Sequence, residues 1–177
     1  MNLAELKIAV IGVGNLGKAL VSGLIESGVP PTNIYATRRN SEKLDEIKRL
    51  NVNAGTDNKL AVQRADVILL CVKPFNYQVV LDEIYADIDP LRQLVISVIT
   101  GVSIETLSSK TPSGTAIMRA MPNTAADVKE SLTCICHNGV DEYQVKLTSK
   151  IFDALGTTLI IKEELMNSAT VLGACGI

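Results

Sequence analysis

Three glycines stand at the spacing G-x-G-x-x-G in Gly12-Val13-Gly14-Asn15-Leu16-Gly17. That spacing suits the diphosphate of a dinucleotide. The first glycine permits a tight turn, the second lets the backbone approach a pyrophosphate with no Cβ in the way, and the third lets a helix pack closely on a strand. Amides at the start of the following helix, at the positive end of its dipole, complete an anion site. The motif carries weight only between a buried strand and a helix, and both flanks are present here: an apolar run over residues 7–13 and a helical pattern over residues 15–27. The competing reading is a plain tight turn.

The end of the second strand bears on which nucleotide. NAD, FAD and S-adenosylmethionine sites carry an acid about twenty residues on, where it accepts from ribose hydroxyls. Thr37 holds that place, within Ala36-Thr37-Arg38-Arg39-Asn40. A hydroxyl followed by two guanidiniums suits a phosphate, because Arg offers a planar fork of donors. NADP(H) is favoured, with NAD(H) as the weaker alternative. Two solvated arginines on a surface loop would read the same way.

Two more segments fall at the carboxyl ends of predicted strands, where ligands bind in open α/β sheets. One is Cys71-Val72-Lys73-Pro74, the other Met118-Arg119-Ala120-Met121-Pro122-Asn123-Thr124. Pro74 and Pro122 stiffen these turns. Lys73 could serve as a base, although a flexible surface lysine is the commoner case. Arg119 lies in an apolar strand and needs a partner. The single histidine, His137, leaves no multi-histidine metal site. Cys71, Cys134, Cys136 and Cys175 form no C-x-x-C pair and read as buried free thiols in a reducing compartment. Alternation puts Cys134 and Cys136 on one strand face, with no second ligand cluster, so no metal is expected.

The elements that must position these residues alternate along the chain. Strands are predicted over residues 7–13, 33–37, 66–72, 94–100, 115–120, 132–136 and 157–161. Helices are predicted over residues 15–27, 42–50 with Ser41 as cap, 57–65, 76–88, 104–109 and 142–155. Near-continuous apolar strands in that order imply an α/β fold, a mostly parallel sheet with helices on both faces. One domain covers residues 1–162. Residues 163–177 begin like a helix and end apolar, and read as the start of a helical domain cut short. The 177 residues are enough to bury roughly 70% of the unfolded surface without a staple. A net charge of −2, with 4 Tyr, 2 Phe and no Trp, excludes a phosphate-backbone or base-stacking partner, so no nucleic acid is expected. No apolar run is long enough for a membrane span and no signal peptide is visible, which implies a cytoplasmic protein.

Residues 11–17, Asp57-Asn58, Cys71-Val72-Lys73-Pro74, residues 97–102 and residues 118–124 stand in the order and spacing of pyrroline-5-carboxylate reductases, and the chain resembles that family over its whole length. Arg119-x-Met121-Pro122-Asn123-Thr124 is the most specific part. The resemblance implies a Rossmann-type domain and hydride transfer from a nicotinamide to a small cyclic imine, giving L-proline. It implies that Ile11, Gly12, Val13, Gly14, Asn15 and Leu16 hold the diphosphate. Thr37, Arg38 and Asn58 meet the adenosine ribose and its phosphate, with Arg39 beside them. Val72, Lys73 and Pro74 flank the nicotinamide ribose, Val98, Ile99 and Thr100 lie beside the nicotinamide, and Met121, Pro122 and Asn123 form a wall. A helical second domain, which makes a homo-oligomer and supplies the substrate-side groups, is expected beyond Ile177, so the chain alone is expected to bind cofactor and turn over almost no substrate. The family's Leu-Ser-Gly-Ser-Gly-Pro reads here as Leu172-Gly173-Ala174-Cys175-Gly176-Ile177, which changes two carboxylate-binding serines to Gly173 and Cys175. Two other readings stand beside this one: a related NADP-dependent reductase of a hydroxyacid or a deazaflavin, and a non-catalytic dinucleotide sensor.

Overall fold

Runs of four apolar or small residues set the centre of the sheet. Strands β1 (Ile8–Ile11), β4 (Val67–Leu70) and β5 (Leu94–Ser97) are buried at every position, as strands covered on both faces must be. The computed structural model of the protein describes residues 2–175, without the side chains of Lys43, Ala174 and Cys175. The expectations placed on the Cys175 thiol, Gly176 and Ile177 lie outside the described residues. Among those residues β2 (Ile34–Thr37), β3 (Asn53–Gly55), β6 (Ala116–Met121), β7 (Ser131–His137) and β8 (Gly156–Ile160) complete one eight-stranded sheet. Its order is β3-β2-β1-β4-β5-β6-β7-β8. The β6–β7 pair is antiparallel and every other pair parallel. This is the Rossmann-type layout expected. The chain winds outward in both directions from the β1–β4 junction, which opens a crevice at the carboxyl ends of those strands.

Helices cover both faces. On one face α1 (Asn15–Glu26) and α6 (Glu142–Phe152) pack Leu20, Leu24, Ile151 and Phe152 against Ile8, Val10 and Leu69, joined by Ile47 of α2 (Asp45–Lys48). On the other, α3 (Asn58–Arg64), α4 (Tyr77–Ile84) and α5 (Ile104–Ser108) pack Val62, Leu81, Ile84 and Leu107 against Ile11, Ile68 and Val95. The last described α-helix, α7 (Met166–Thr170), which a π-helical turn Val171–Cys175 follows, joins this second core through Met166, which is fully buried.

Several local expectations need correction, among them the helix over residues 142–155, which reduces to α6 and a 3-10 turn, Asp153–Leu155. The helix over residues 42–50 splits into a 3-10 turn, Ser41–Leu44, and the short α2. Its cap is Asn40, whose side chain accepts from the Glu42 amide, rather than Ser41. The helix over residues 76–88 reduces to α4 and a 3-10 turn, Tyr85–Asp87. Strand β3, unforeseen, is held by backbone pairing to β2 and by the Asn53 amide, which donates to the Thr32 carbonyl at 2.7 Å.

Arg119 finds its partner across the sheet. Its guanidinium, almost fully buried, donates to Glu163 Oε1 at 2.9 Å, and the Ile104 amide donates to the same oxygen at 2.7 Å. Glu163 precedes α7, so the contact ties that segment to the sheet. Glu163→Ala leaves Arg119 buried and unpaired. Breaking an enclosed pair costs about 3–5 kcal/mol; Glu163 is 31% exposed, so solvent offsets part of this and about 1–3 kcal/mol is expected. The melting temperature should fall by roughly 2–10 °C, and Glu163→Gln, which keeps an acceptor for the Ile104 amide, should fall less. A melting temperature unchanged in Glu163→Ala would show that the pair holds nothing in place.

Candidate functional site

The glycine loop is tied down from both neighbouring strands. The Gly12 and Val13 amides donate to the Thr37 carbonyl at 3.0 and 2.8 Å, and the Cys71 amide donates to the Ile11 carbonyl at 2.8 Å. Gly12 has φ +87°, and a Cβ there would stand 2.5 Å from Val72 Cγ1, so both the turn and the close approach of β4 require glycine. At Gly14 the backbone is extended, and a Cβ would meet nothing within 4 Å. Glycine is needed there by no protein neighbour, which leaves the space in front of it for something else. At Gly17 a Cβ would only touch the Val13 side chain at 3.4 Å, so the third glycine is less demanding than the motif implies.

Gly14 also begins α1 without a side-chain cap. The first amides of a helix have no intrahelical acceptor, and here the helix start borders, at Gly14, a cleft of about 580 Å³. Its floor is Ile11, Gly12, Val13 and Gly14, and one wall is Arg38, Arg39 and Asn40. Thr56 and Asn58 close the end, and Cys71, Val72 and Lys73 form the second wall. The volume is in the range of small-molecule sites. The Arg38 guanidinium donates to the Val13 carbonyl at 3.0 Å, which lays it across the glycine loop, and its backbone amide donates to Gly55 of β3 at 3.1 Å. The unforeseen edge strand is thus part of what positions the arginine. Thr37 is buried and donates to Asn58 Oδ1 at 2.6 Å.

The remaining named residues lie elsewhere along the same sheet edge. Asn15 and Leu16 open α1 without lining the cleft, and Pro74 starts the 3-10 turn leading to α4. Val98 and Ile99 are buried just beyond β5, with Thr100 exposed after them. Met121, Pro122 and Asn123 line a second, apolar cavity of about 450 Å³, shared with Cys134, Leu159 and Leu165. The sequence reading did not mark the α4 face of the main cleft, Asn76, Val79, Val80 and Glu83. Helical spacing after Lys73-Pro74 was a usable signal, since Asn76, Val80 and Glu83 fall on one face.

The cleft holds three cationic side chains, Arg38, Arg39 and Lys73, against one carboxylate, Glu83, a balance that favours an anion. Its cysteine, Cys71, is held toward the protonated thiol. Burial pushes the Cys71 thiol up to about 12. Cys136 is pushed up to about 11, mainly by burial, with Arg119 lowering it and Glu163 and Cys134 raising it. Among the described residues no group of three or more His, Cys, Asp or Glu could hold a metal ion, and no helix is long and apolar enough to cross a membrane. Above about pH 9 the unfolded chain loses a Cys71 proton that the folded chain keeps up to about pH 12, so this group's contribution to stability falls with rising pH across that window. Cys71→Ala should therefore show a shallower alkaline loss of stability in denaturant titrations from pH 8 to pH 11. Identical slopes would mean that the thiol is not desolvated.

Comparison with known proteins bears on this geometry. Residues 7–101 match the family described as NADP oxidoreductase, coenzyme F420-dependent. A pyrroline-5-carboxylate reductase of Methanosarcina acetivorans is 36% identical over 96% of this chain and 64% of its own length. The solved structure of a pyrroline-5-carboxylate reductase from Coxiella burnetii superposes with a TM-score of 0.92 at 32% identity, covering 97% of this chain and 64% of that one. A Plasmodium falciparum pyrroline carboxylate reductase, solved with NADP bound, has a TM-score of 0.88 at 27% identity over 99% of this chain and 64% of that one. The chain thus spans less than two thirds of each of these relatives.

Proposed function

Because the chain belongs to the NADP oxidoreductase, coenzyme F420-dependent family, we propose that the cleft at the carboxyl ends of β1, β2 and β4 binds NADP(H), and that the protein serves the reduction of the cyclic imine pyrroline-5-carboxylate to L-proline. The observation that carries the reading is the open space before Gly14, beside a helix N-terminus and in one cleft with Arg38 and Arg39, in a chain that aligns over 96% or more of its own length with pyrroline-5-carboxylate reductases. A diphosphate fits a cradle that a Cβ would fill.

On this reading residues 11–16 hold the diphosphate through the loop backbone and the first amides of α1. Arg38 and Arg39 meet a 2′-phosphate, with Thr37 and Asn58 at the same ribose. Val72, Lys73 and Pro74 flank the other ribose. Val98, Ile99 and Thr100 lie beside the nicotinamide, and Met121, Pro122 and Asn123 wall it. The bound cofactor supplies hydride from its nicotinamide C4 to the C=N carbon. The chain's own residues bind, orient and exclude water, and no side chain described here is required to move a proton. Residues 1–162 would be the nucleotide-binding unit in a cytoplasmic homo-oligomer, and the segment from residue 163 the start of a helical unit carrying the substrate-side groups.

A second reading, hydride transfer to a deazaflavin, is favoured by the family description over residues 7–101; the similarity to pyrroline-5-carboxylate reductases over 96% and 97% of the chain favours the first. NADPH oxidation, measured on this chain and on the full product of its gene, separates them. Oxidation that depends on pyrroline-5-carboxylate is expected in the longer product, and almost none in this chain alone. Oxidation that depends only on an oxidised deazaflavin would overturn the imine assignment.

A further inference from the structure

One carboxylate sits in a cleft otherwise built for an anion. Glu83 of α4 lines it across from Arg38 and Arg39 and accepts from Asn58 Nδ2 at 2.9 Å. The other end of the Asn58 amide, Oδ1, accepts from the Thr37 hydroxyl at 2.6 Å. The three groups form one directed chain, from the Thr37 hydroxyl through Asn58 to the Glu83 carboxylate.

The direction has a consequence. An ionised carboxylate only accepts, so Glu83 fixes which way the Asn58 amide faces: nitrogen toward α4, oxygen toward Thr37. The oxygen in turn takes the one proton of the Thr37 hydroxyl. Thr37 itself is buried and does not line the cleft, so its proton only holds the Asn58 oxygen, and it is Asn58 that faces a ligand. With its nitrogen held by Glu83, the Asn58 side chain has less donor capacity for a 2′-phosphate, all acceptors and nearly doubly charged, whereas a ribose hydroxyl can still donate to its oxygen. The Glu83 charge acts in the same sense, repelling a phosphate that the guanidiniums attract.

Resting on the reading of the cleft as a dinucleotide cradle, we infer that Glu83 is a specificity-determining residue for the cofactor: through the Asn58 amide and by its own charge it restrains the preference for the 2′-phosphate set by Arg38 and Arg39, so that the site accepts both the phosphorylated and the unphosphorylated nucleotide. It acts on the ribose through Asn58 and is a positioning residue. Nothing in this role touches the reacting atoms.

NADPH and NADH differ only in the 2′-phosphate, so direct calorimetric titration of each against the wild-type chain reads the effect without any turnover. Glu83→Gln removes the charge and can keep an acceptor on Asn58. It should tighten NADPH about three- to tenfold and leave NADH within about twofold, as expected for a partly exposed charge facing a phosphate. Glu83→Ala, which also frees the Asn58 amide to turn its nitrogen into the cleft, should raise the NADPH to NADH affinity ratio at least as far. The gain from Glu83→Gln should shrink in concentrated salt, because the charge is exposed to solvent. An affinity ratio that stays at the wild-type value in both variants, while the wild type binds both nucleotides, overturns this inference and leaves the cradle reading standing. A wild-type chain that binds neither nucleotide overturns both. A merely structural role for Glu83 would lower the melting temperature and weaken both nucleotides together, and that outcome also overturns the inference.

Discussion

Gly14→Val is expected to abolish dinucleotide binding while the protein keeps its fold. The two halves of that result have separate causes. The backbone at Gly14 is extended, with φ −102° and ψ −153°, a conformation that a β-branched residue adopts without strain. Apart from its own chain neighbours, no protein atom lies within 4 Å of the position a Cβ would take, so the fold leaves room for a side chain to start there. The branch instead occupies the place of the diphosphate and screens the first amides of α1, where the interaction with an anion is concentrated. Affinity for NADPH and NADH should fall together, on the order of a hundredfold or more, which is about 2.7 kcal/mol of lost contact. Gly12→Ala gives the opposite signature. There φ is +87° and the new Cβ would stand 2.5 Å from Val72 Cγ1 and 3.1 Å from the Val72 Cα, so the melting temperature itself should drop. Titration beside thermal melts of the two variants decides the matter. Native binding in Gly14→Val would put the nucleotide somewhere other than this loop.

The contrast between the two glycines was only half legible in the sequence. The motif marks both, and the run of apolar residues before it announces β1 because a strand buried on both faces has to be apolar throughout. What the spacing cannot say is which neighbour makes each glycine necessary. Gly12 answers to Val72, sixty residues away just past the end of β4, and Gly14 answers to no protein atom. The edge strand β3 was invisible for a related reason. Asn53, Ala54 and Gly55 bury little apolar surface and are held by backbone pairing and one asparagine side chain, so no hydrophobic period announces them. Yet β3 receives the Arg38 amide and so helps to aim the side chain that the sequence did mark. The cap at Asn40 was misplaced onto Ser41 because both residues are good caps, and one-residue choices of this kind are settled by the preceding strand's exit. The reversal of β7 against β6 was likewise silent, since the apolar pattern of a buried strand has no direction. The α4 wall carries no motif of its own: Asn76, Val80 and Glu83 share one face only when the turns after Lys73-Pro74 are projected as a helix.

The second large effect concerns the arginines, and the structure refines how it should divide. Arg38 has two tasks in the fold as it stands. One nitrogen of its guanidinium donates to the Val13 carbonyl at 3.0 Å, which steadies the glycine loop for any dinucleotide, and the rest of the fork remains for a phosphate. Arg39 is exposed and lines the same wall, with its value confined to the phosphate. Losing a charge-assisted hydrogen bond to a phosphate costs about 1.5–3 kcal/mol, or roughly ten- to a hundredfold in affinity. Arg38→Ala should therefore weaken NADPH by about that factor and NADH by a smaller one, because the loop anchor goes with the side chain. Arg39→Ala should weaken NADPH alone, by less, since an exposed side chain loses part of the contact to water. Removing both should leave NADH the better ligand, because the Glu83 carboxylate then stands in the cleft with neither arginine to offset it. The order of these losses in calorimetric titrations is the test. Equal losses of NADPH and NADH in Arg39→Ala, or an NADPH preference that survives the double variant, would show that the phosphate is met elsewhere, with Lys73 the remaining cation of the cleft.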